Sequence, residues 1–326
     1  MRLATDAPGS EAPRATVVVA QVNLGRCGLK VPKVGLGCNN FGATIDLEQS
    51  RKIMHSAIDL GITLFDTSDT YGTVWGDSEI MIGEVLEGIR DKVLLVTKFG
   101  CPAQRQRDSS RAWVLKALEK SLKRLRTDWI DIYMIHWPDP NTPMEETLRA
   151  LDDLVTSGKV RYIGLSNFPA WQIVESKWLA KELRTHSYVA AQNEYSLLNR
   201  KAEAELIPAL SNYGMALMPY FPLASGMLTG KYLEGGQGRL TDNWLNLKGV
   251  FLTERNLEIV RKLDAYAREC GRTMLELSMS WLAGQPTIAG IIAGATKVEQ
   301  LEENARAVSW KMTPEELAII NNIAQV

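Results

Sequence analysis

From residue 34 onward the chain alternates two kinds of segment. Short apolar runs of four to seven residues recur at 34–37, 62–65, 93–98, 130–136, 160–165, 188–193, 215–220 and 288–293. They are too short for amphipathic helices, and longer stretches with apolar residues at helical spacing separate them. In one of these, Ser109 and Ser110 precede Trp113, Leu115, Leu118, Leu122 and Leu125, which share a helix face. In another, Thr142 and Pro143 open a helix with Glu145 and Glu146 in its first turn. Apolar strands separated by helices imply a parallel sheet covered on both sides. Eight such units predict closure into a (β/α)8 TIM barrel, in which catalytic groups gather at the carboxyl ends of the strands. An open doubly wound sheet is the competing architecture, but it would carry GxGxxG directly after its first strand. Gly35-Leu-Gly37-Cys-Asn-Asn-Phe-Gly42 lacks that spacing.

Three additions to the rhythm are expected. Residues 17–22 and 28–31 bracket a glycine-containing turn and predict an N-terminal β-hairpin that plugs the barrel floor. Residues 221–251 form a long loop after strand seven, of the length that lids and binding loops have. Additional C-terminal helices are expected at 253–270 and 313–323, flanking a helix at 273–283 and the eighth strand. Residues 17–326 read as a single barrel domain. Residues 1–16, rich in Ala, Pro, Asp and Glu, read as a disordered tail.

Composition narrows the function classes. A hydrophobic share of 45% and a charged share of 23% are ordinary for a folded domain. The net charge of −1 and pI near 6.4 supply no basic field for nucleic acid or for a membrane surface. No apolar run approaches the roughly 20 residues that span a bilayer, and no cationic-then-apolar leader is visible, so a cytoplasmic location is expected. Cys27, Cys38, Cys101 and Cys270 form no CxxC pair and read as reduced thiols. His55, His136 and His186 show no metal-ligand spacing, so no metal site is expected. The expected partner is a small-molecule carbonyl substrate, and a homo-oligomer is a candidate assembly.

The strand ends carry the chemistry. Asp66 ends the second strand, Lys98 the third and His136 the fourth, and Tyr71 sits in the loop between the first two. Each alone would be ordinary, since a lone lysine is usually solvated and a lone histidine is usually a satisfied core residue. Together they form a constellation. A free phenol has a pKa near 10, and a neighbouring ammonium favours its ionised form. Lys98 would therefore lower the Tyr71 pKa, with Asp66 keeping the lysine charged and oriented. His136 could donate a hydrogen bond to the same substrate oxygen. Such a set suits protonation of a carbonyl oxygen that becomes an alkoxide on accepting a hydride. No GxSxG elbow is present, which argues against acyl transfer.

Phe65-Asp-Thr-Ser-Asp-Thr-Tyr-Gly72, Val96-Thr-Lys98, Asp131-Ile-Tyr-Met-Ile-His136, Gly158-Lys-Val-Arg-Tyr-Ile-Gly-Leu-Ser-Asn-Phe168 and Ala191-Gln-Asn-Glu-Tyr195 resemble, in order, the motifs of the aldo-keto reductase superfamily. The resemblance implies a barrel that binds NADPH or NADP+ without a Rossmann fold and an NADPH-dependent reduction of an aldehyde or ketone. It implies Tyr71 as general acid/base, Asp66 and Lys98 as its tuning pair and His136 as the substrate-orienting residue. It also implies Ser166, Asn167 and Gln192 against the nicotinamide carboxamide, with Asp66 nearby, and Tyr220 stacked on the ring. Phe221, Leu223, Ser225, Gly226 and Lys231 fall in the segment that covers the pyrophosphate. Gly294, Thr296, Lys297, Gln300, Glu303 and Asn304 fall where relatives grip the adenosine end, and amides at that helix start suit a 2′-phosphate. Phe221 replaces a small polar residue and Thr296 a cation of many relatives; the second leaves NADH as the less favoured cofactor. Phe41, Trp75 and Trp137, with Trp244 in the long loop, are the expected aromatic lining of the substrate pocket. Two alternatives share these motifs: a regulatory subunit similar to potassium-channel beta subunits, and a sugar or polyol dehydrogenase working in the oxidative direction.

Overall fold

The computed structural model describes residues 19–101, 107–242 and 247–325. The expected tail and Trp244 lie outside these residues. β1 (Gln21–Asn23) and β2 (Lys30–Pro32) pair antiparallel as a hairpin. Eight parallel strands follow: β3 (Val34–Gly37), β4 (Leu64–Asp66), β5 (Leu94–Phe99), β6 (Ile130–Ile135), β7 (Val160–Ser166), β8 (Ala190–Gln192), β9 (Ala216–Leu217) and β10 (Ile291–Gly294). They lie in the order β10-β3-β4-β5-β6-β7-β8-β9. The circle closes through backbone bonds from Leu217 N to Thr287 O (2.8 Å), Ala289 N to Leu217 O (3.0 Å) and Ile292 N to Pro219 O (3.0 Å). The expected (β/α)8 barrel with its hairpin is therefore present.

The last three strands are the most shortened relative to their apolar runs, the sixth to Ala190–Gln192. In the seventh, Pro219 has no N–H to donate, and regular pairing covers only Ala216–Leu217. In the eighth, Gly290 takes φ 72° and separates a single bridge at Ile288 from the ladder that starts at Ile291.

Helices pack outside the strands: α1 (Leu47–Asp59), α2 (Asp77–Val85), α3 (Arg111–Leu125), α4 (Met144–Thr156), α5 (Ala170–Leu183) and α6 (Leu206–Tyr213). The connection after β9 holds α7 (Arg239–Asp242) and α8 (Lys248–Phe251). It is followed by α9 (Glu254–Glu269), α10 (Met274–Ala283), α11 (Val298–Arg306) and α12 (Pro314–Ala324). Thr273 and Thr313 each close a capping box with the glutamate three positions on, which fixes where α10 and α12 begin. The Ser110 side chain does not cap α3; Asp108 instead accepts from the Ser110 N–H at 3.0 Å.

Strand alternation sorts the side chains into two apolar layers. Phe65, Leu95, Tyr133, Ile135, Ile163, Leu165, Ala191, Leu217 and Ala293 point outward to the helices. Leu64, Val96, Ile132, Met134, Ala190, Ala216, Met218 and Ile292 fill the interior, where Leu24 and Val31 of the hairpin join them from below. Two residues beyond an inward Leu64, Val96, Met134, Ala190 or Met218 come Asp66, Lys98, His136, Gln192 and Tyr220. A period of two thus turns an apolar barrel floor into a polar upper layer on the same face.

Candidate functional site

Lys98 is the centre of that layer and is fully buried. Its Nζ donates to Asp66 Oδ2 at 2.8 Å and to the Thr67 carbonyl at 2.8 Å, and lies 3.5 Å from the Tyr71 hydroxyl. Burial works against the ammonium charge, but Asp66 and then Tyr71 outweigh it, and Lys98 is held above the ordinary amine range. The other oxygen of Asp66 accepts from Gln192 Nε2 at 2.8 Å, so the carboxylate is fixed from both sides of the barrel mouth.

Tyr71 meets His136 edge-on, with ring centroids 5.9 Å apart. The residue keeps some exposed surface, but its hydroxyl is enclosed. The expectation that Lys98 would bring the phenol below its ordinary pKa is not met. Burial raises it, Lys98 opposes that rise, and Asp66 adds to it, so the net direction is upward. The largest cause is burial, which Lys98 opposes without cancelling and which Asp66 reinforces. Tyr71 is consequently a neutral phenol near pH 7. His136 is driven the other way, well below the usual imidazole range, by burial and then by Lys98, and is uncharged. Its Nδ1 lies 3.1 Å from Ser68 Oγ.

The residues expected at the nicotinamide end form one network with this cluster. Ser166 Oγ donates to the Gln192 carbonyl at 3.0 Å. Asn167, in a left-handed conformation at φ 64°, donates through Nδ2 to the His136 carbonyl at 2.9 Å. Its Oδ1 accepts from the Tyr220 hydroxyl at 2.7 Å.

The segment expected at the pyrophosphate is strained. Phe221, Ala224 and Ser225 have φ of 49°, 46° and 56°, values that cost non-glycine residues on the order of 1–3 kcal/mol each. Ala224, Ser225 and Gly226 follow one another on the left-handed side, and the Ala224 and Gly226 amides donate to the Phe221 and Leu223 carbonyls at 2.8 Å each. Ser225 Oγ is buried without a hydrogen-bond partner. The Lys231 side chain packs so closely on Gly226 and Gly238 that a Cβ at either would come within 3.0 Å or 2.3 Å of it. An orphan hydroxyl beside an ammonium is a donor set suited to a diphosphate.

In the segment expected at the adenosine, Lys297 is the N-cap of α11 and makes no side-chain cap bond. The Thr296 amide donates to Gln300 Oε1 at 2.8 Å. Gly294 and Glu303 are exposed, whereas Asn304 is buried.

The aromatic lining is only partly brought together. Phe41 has no exposed surface and belongs to the core between strands and helices, so it is not a pocket wall. Trp75 is 50% exposed on the Tyr71 loop. Trp137 is half-buried, with the Arg107 guanidinium 5.5 Å from its ring.

Sequence reasoning missed three groups. Arg239, in the long connection, donates to Asn40 Oδ1 at 2.7 Å and adds a half-buried cation in the field of Tyr232 and Tyr71. A distant arginine in a loop has no periodic signal that could reveal this. Glu79 is fully buried on α2, accepts from Thr97 Oγ1 at 2.5 Å and pairs with Arg124 of α3 at 2.6 Å. Asp69, two residues before Tyr71, is buried and has its pKa raised to about 7, by burial first and by Glu79 second.

This barrel, with its polar layer at the carboxyl ends of the strands, belongs to a defined class: the Aldo/keto reductase family profile matches residues 33–325. The chain is a member of that family of oxidoreductases, whose members generally use a nicotinamide cofactor. It is 36% identical to the L-glyceraldehyde 3-phosphate reductase of Escherichia coli K12, over 87% of this chain and 86% of the relative. It is 36% identical to the Bacillus subtilis oxidoreductase YrpG, over 92% and 94%. It is also 34% identical to a probable voltage-gated potassium channel subunit beta of Oryza sativa subsp. japonica, over 93% and 96%. Among the described residues, no helix is long and apolar enough to cross a membrane.

Proposed function

We propose that the protein reduces an aldehyde or ketone to an alcohol with NADPH, and that Tyr71 supplies the proton. The observation that carries this reading is the buried Lys98 ammonium held between Asp66 Oδ2 at 2.8 Å and the Tyr71 hydroxyl at 3.5 Å, beside an uncharged His136. When bound, the cofactor would supply the hydride. Ser166, Asn167 and Gln192 would hold its carboxamide and Tyr220 its ring. Phe221, Leu223, Ser225, Gly226, Lys231 and Arg239 would close on the pyrophosphate. Gly294, Thr296, Lys297, Gln300, Glu303 and Asn304 would receive the adenosine, with Lys297 and the open start of α11 favouring a 2′-phosphate.

In this reading Tyr71 Oη passes its proton to the carbonyl oxygen as negative charge grows there, and Lys98 stabilises the phenolate left behind. Asp66 and Gln192 keep Lys98 from turning away. A phenol whose pKa is raised is protonated at neutral pH, the form that carbonyl reduction uses. Trp75 and Trp137 would supply an apolar wall for the carbonyl substrate. The reading takes residues 17–326 as one domain and a cytoplasmic location, with a homo-oligomer as a candidate assembly. Fluorescence titration with NADPH and NADH, followed by a panel of aldehydes and ketones, tests it. Tighter binding of NADPH and measurable turnover support the reading; turnover with neither cofactor ends it.

A second reading rests on relatives whose names give them as potassium channel beta subunits. A regulatory role of that kind requires cofactor to stay bound with negligible turnover. The same titration and substrate panel separate the two.

A further inference from the structure

We propose that Ser68 and Asp69 are positioning residues that decide which ring nitrogen of His136 carries its hydrogen, and so whether the imidazole meets the substrate oxygen as donor or acceptor. The inference rests on the proposed carbonyl reduction for its meaning, but not for its test.

Ser68 Oγ lies between two groups that compete for its single hydrogen. His136 Nδ1 is 3.1 Å away on one side, and Asp69 Oδ1 is 3.3 Å away on the other. Thr70 contributes its Oγ1 at 3.0 Å and donates its N–H to Ser68 Oγ at 3.3 Å. The backbone holds the bridge in place, since Asp69 N donates to the Lys98 carbonyl at 3.2 Å and His136 N to the Phe99 carbonyl at 2.7 Å. His136 Nε2 has no hydrogen bond from the described residues, which leaves it for a ligand.

With Thr70 Oγ1 turned to donate elsewhere, two arrangements of the Ser68 hydrogen link Asp69 to His136. When Asp69 is ionised, Ser68 O–H donates to the carboxylate and must accept from His136 Nδ1–H, so Nε2 presents a lone pair. When Asp69 is protonated, it donates to Ser68 Oγ, Ser68 O–H donates to Nδ1, and Nε2 carries the hydrogen. The second state holds one more proton than the first. That proton enters at Nε2, the Nδ1 hydrogen passes to Ser68, and the Ser68 hydrogen passes to Asp69. The imidazole is neutral throughout, as its lowered pKa requires. Only the second state can donate to a carbonyl oxygen.

The charged surroundings of Asp69 make both states accessible. Glu79 of α2 disfavours its ionisation, Arg124 of α3 and Lys98 of β5 favour it, and burial disfavours it most. The Tyr133 hydroxyl of β6 lies in the same buried field and has no hydrogen-bond partner. The balance leaves the carboxyl pKa at about 7, inside the working range of an enzyme.

The test is His-selective 15N labelling of the full chain without substrate, with long-range proton–nitrogen correlation read from about pH 5.5 to about 8.5. With three histidines in the chain, loss of one signal in His136→Asn assigns it. The expected result is a neutral His136 whose Nε2–H form gives way to Nδ1–H with a midpoint near 7. In Asp69→Asn and in Ser68→Ala the tautomer ratio becomes independent of pH. If Asp69→Asn fails to fold, Ser68→Ala alone decides, because it cuts the bridge and leaves the carboxylate. A wild-type ratio that does not move, a midpoint that survives in the folded variants, or a His136 that becomes imidazolium in this range overturns the proposal. Because no turnover is read, failure of the reductase reading would leave this result standing, and the reverse also holds.

Discussion

Lys98 Nζ and Asp66 Oδ2 are 2.8 Å apart, with side-chain exposures of 0% and 4%. A pair this dry is held by its own attraction and by the Gln192 and Thr67 bonds around it, and removing one member leaves a buried charge alone. Lys98→Met is therefore expected to cost about 3–5 kcal/mol of stability. It should also lower kcat/KM for carbonyl reduction by about 10²–10⁴, the range of a general acid–base contribution. Chemical denaturation and steady-state kinetics on the same preparation check both parts.

Ser225 gives a prediction in which stability and binding move in opposite directions. Its buried hydroxyl has no partner, a condition that costs about 1–3 kcal/mol. Ser225→Ala should raise the melting temperature of the cofactor-free protein while weakening NADPH, because the proposed site assigns the hydroxyl to the diphosphate. Thermal unfolding with and without NADPH reads both effects; an unchanged cofactor affinity would remove Ser225 from the site.

Arg124→Met should destabilise the fold by about 3–5 kcal/mol, since it strands Glu79, which is fully buried. Glu79 would retain only its bond from Thr97. Urea denaturation measures the loss, and a loss below about 1 kcal/mol, as for a surface pair, would contradict it.

The pH dependence of stability contains two opposing contributions. Asp69 moves from 3.8 to about 7 on folding, so the native state holds a proton that the unfolded chain releases. Its contribution is present below pH 3.8 and is lost as pH rises toward 7, amounting to roughly 4 kcal/mol. His136, whose pKa falls on folding, contributes stability above its ordinary value that is lost as pH drops below it. Just below about pH 6.5 the two slopes oppose one another. Relative to wild type, Asp69→Asn should gain stability progressively as pH rises from 4 to 7, measured as the difference in unfolding free energy.

The barrel was legible because its strands are buried on both faces and therefore nearly pure in apolar residues, a signal that needs no partner to be read. The same alternation that hides Leu64 and Val96 places Asp66 and Lys98 on the inner face two positions later. The polar layer could accordingly be read from the residues at the strand ends. What escaped was whatever depends on a distant element. Burial outweighs Lys98 and decides the direction of the Tyr71 pKa. Phe41 follows a strand end as a pocket residue would, yet packs under the helices. Arg239 reaches Asn40 from a loop roughly two hundred positions later in the chain. Seventh-strand pairing was shortened by Pro219, whose missing donor is visible in the sequence, but the hydrogen bond it would have made is not.

The central claim is that the Tyr71 hydroxyl delivers the proton in carbonyl reduction, and Tyr71→Phe tests it most directly because it removes one oxygen and keeps the ring. The measurement is the rate of NADPH oxidation with a reducible aldehyde, alongside NADPH binding by fluorescence. The account predicts a rate lower by at least about 10² with cofactor affinity nearly unchanged. A variant that turns over as fast as the wild type would contradict it.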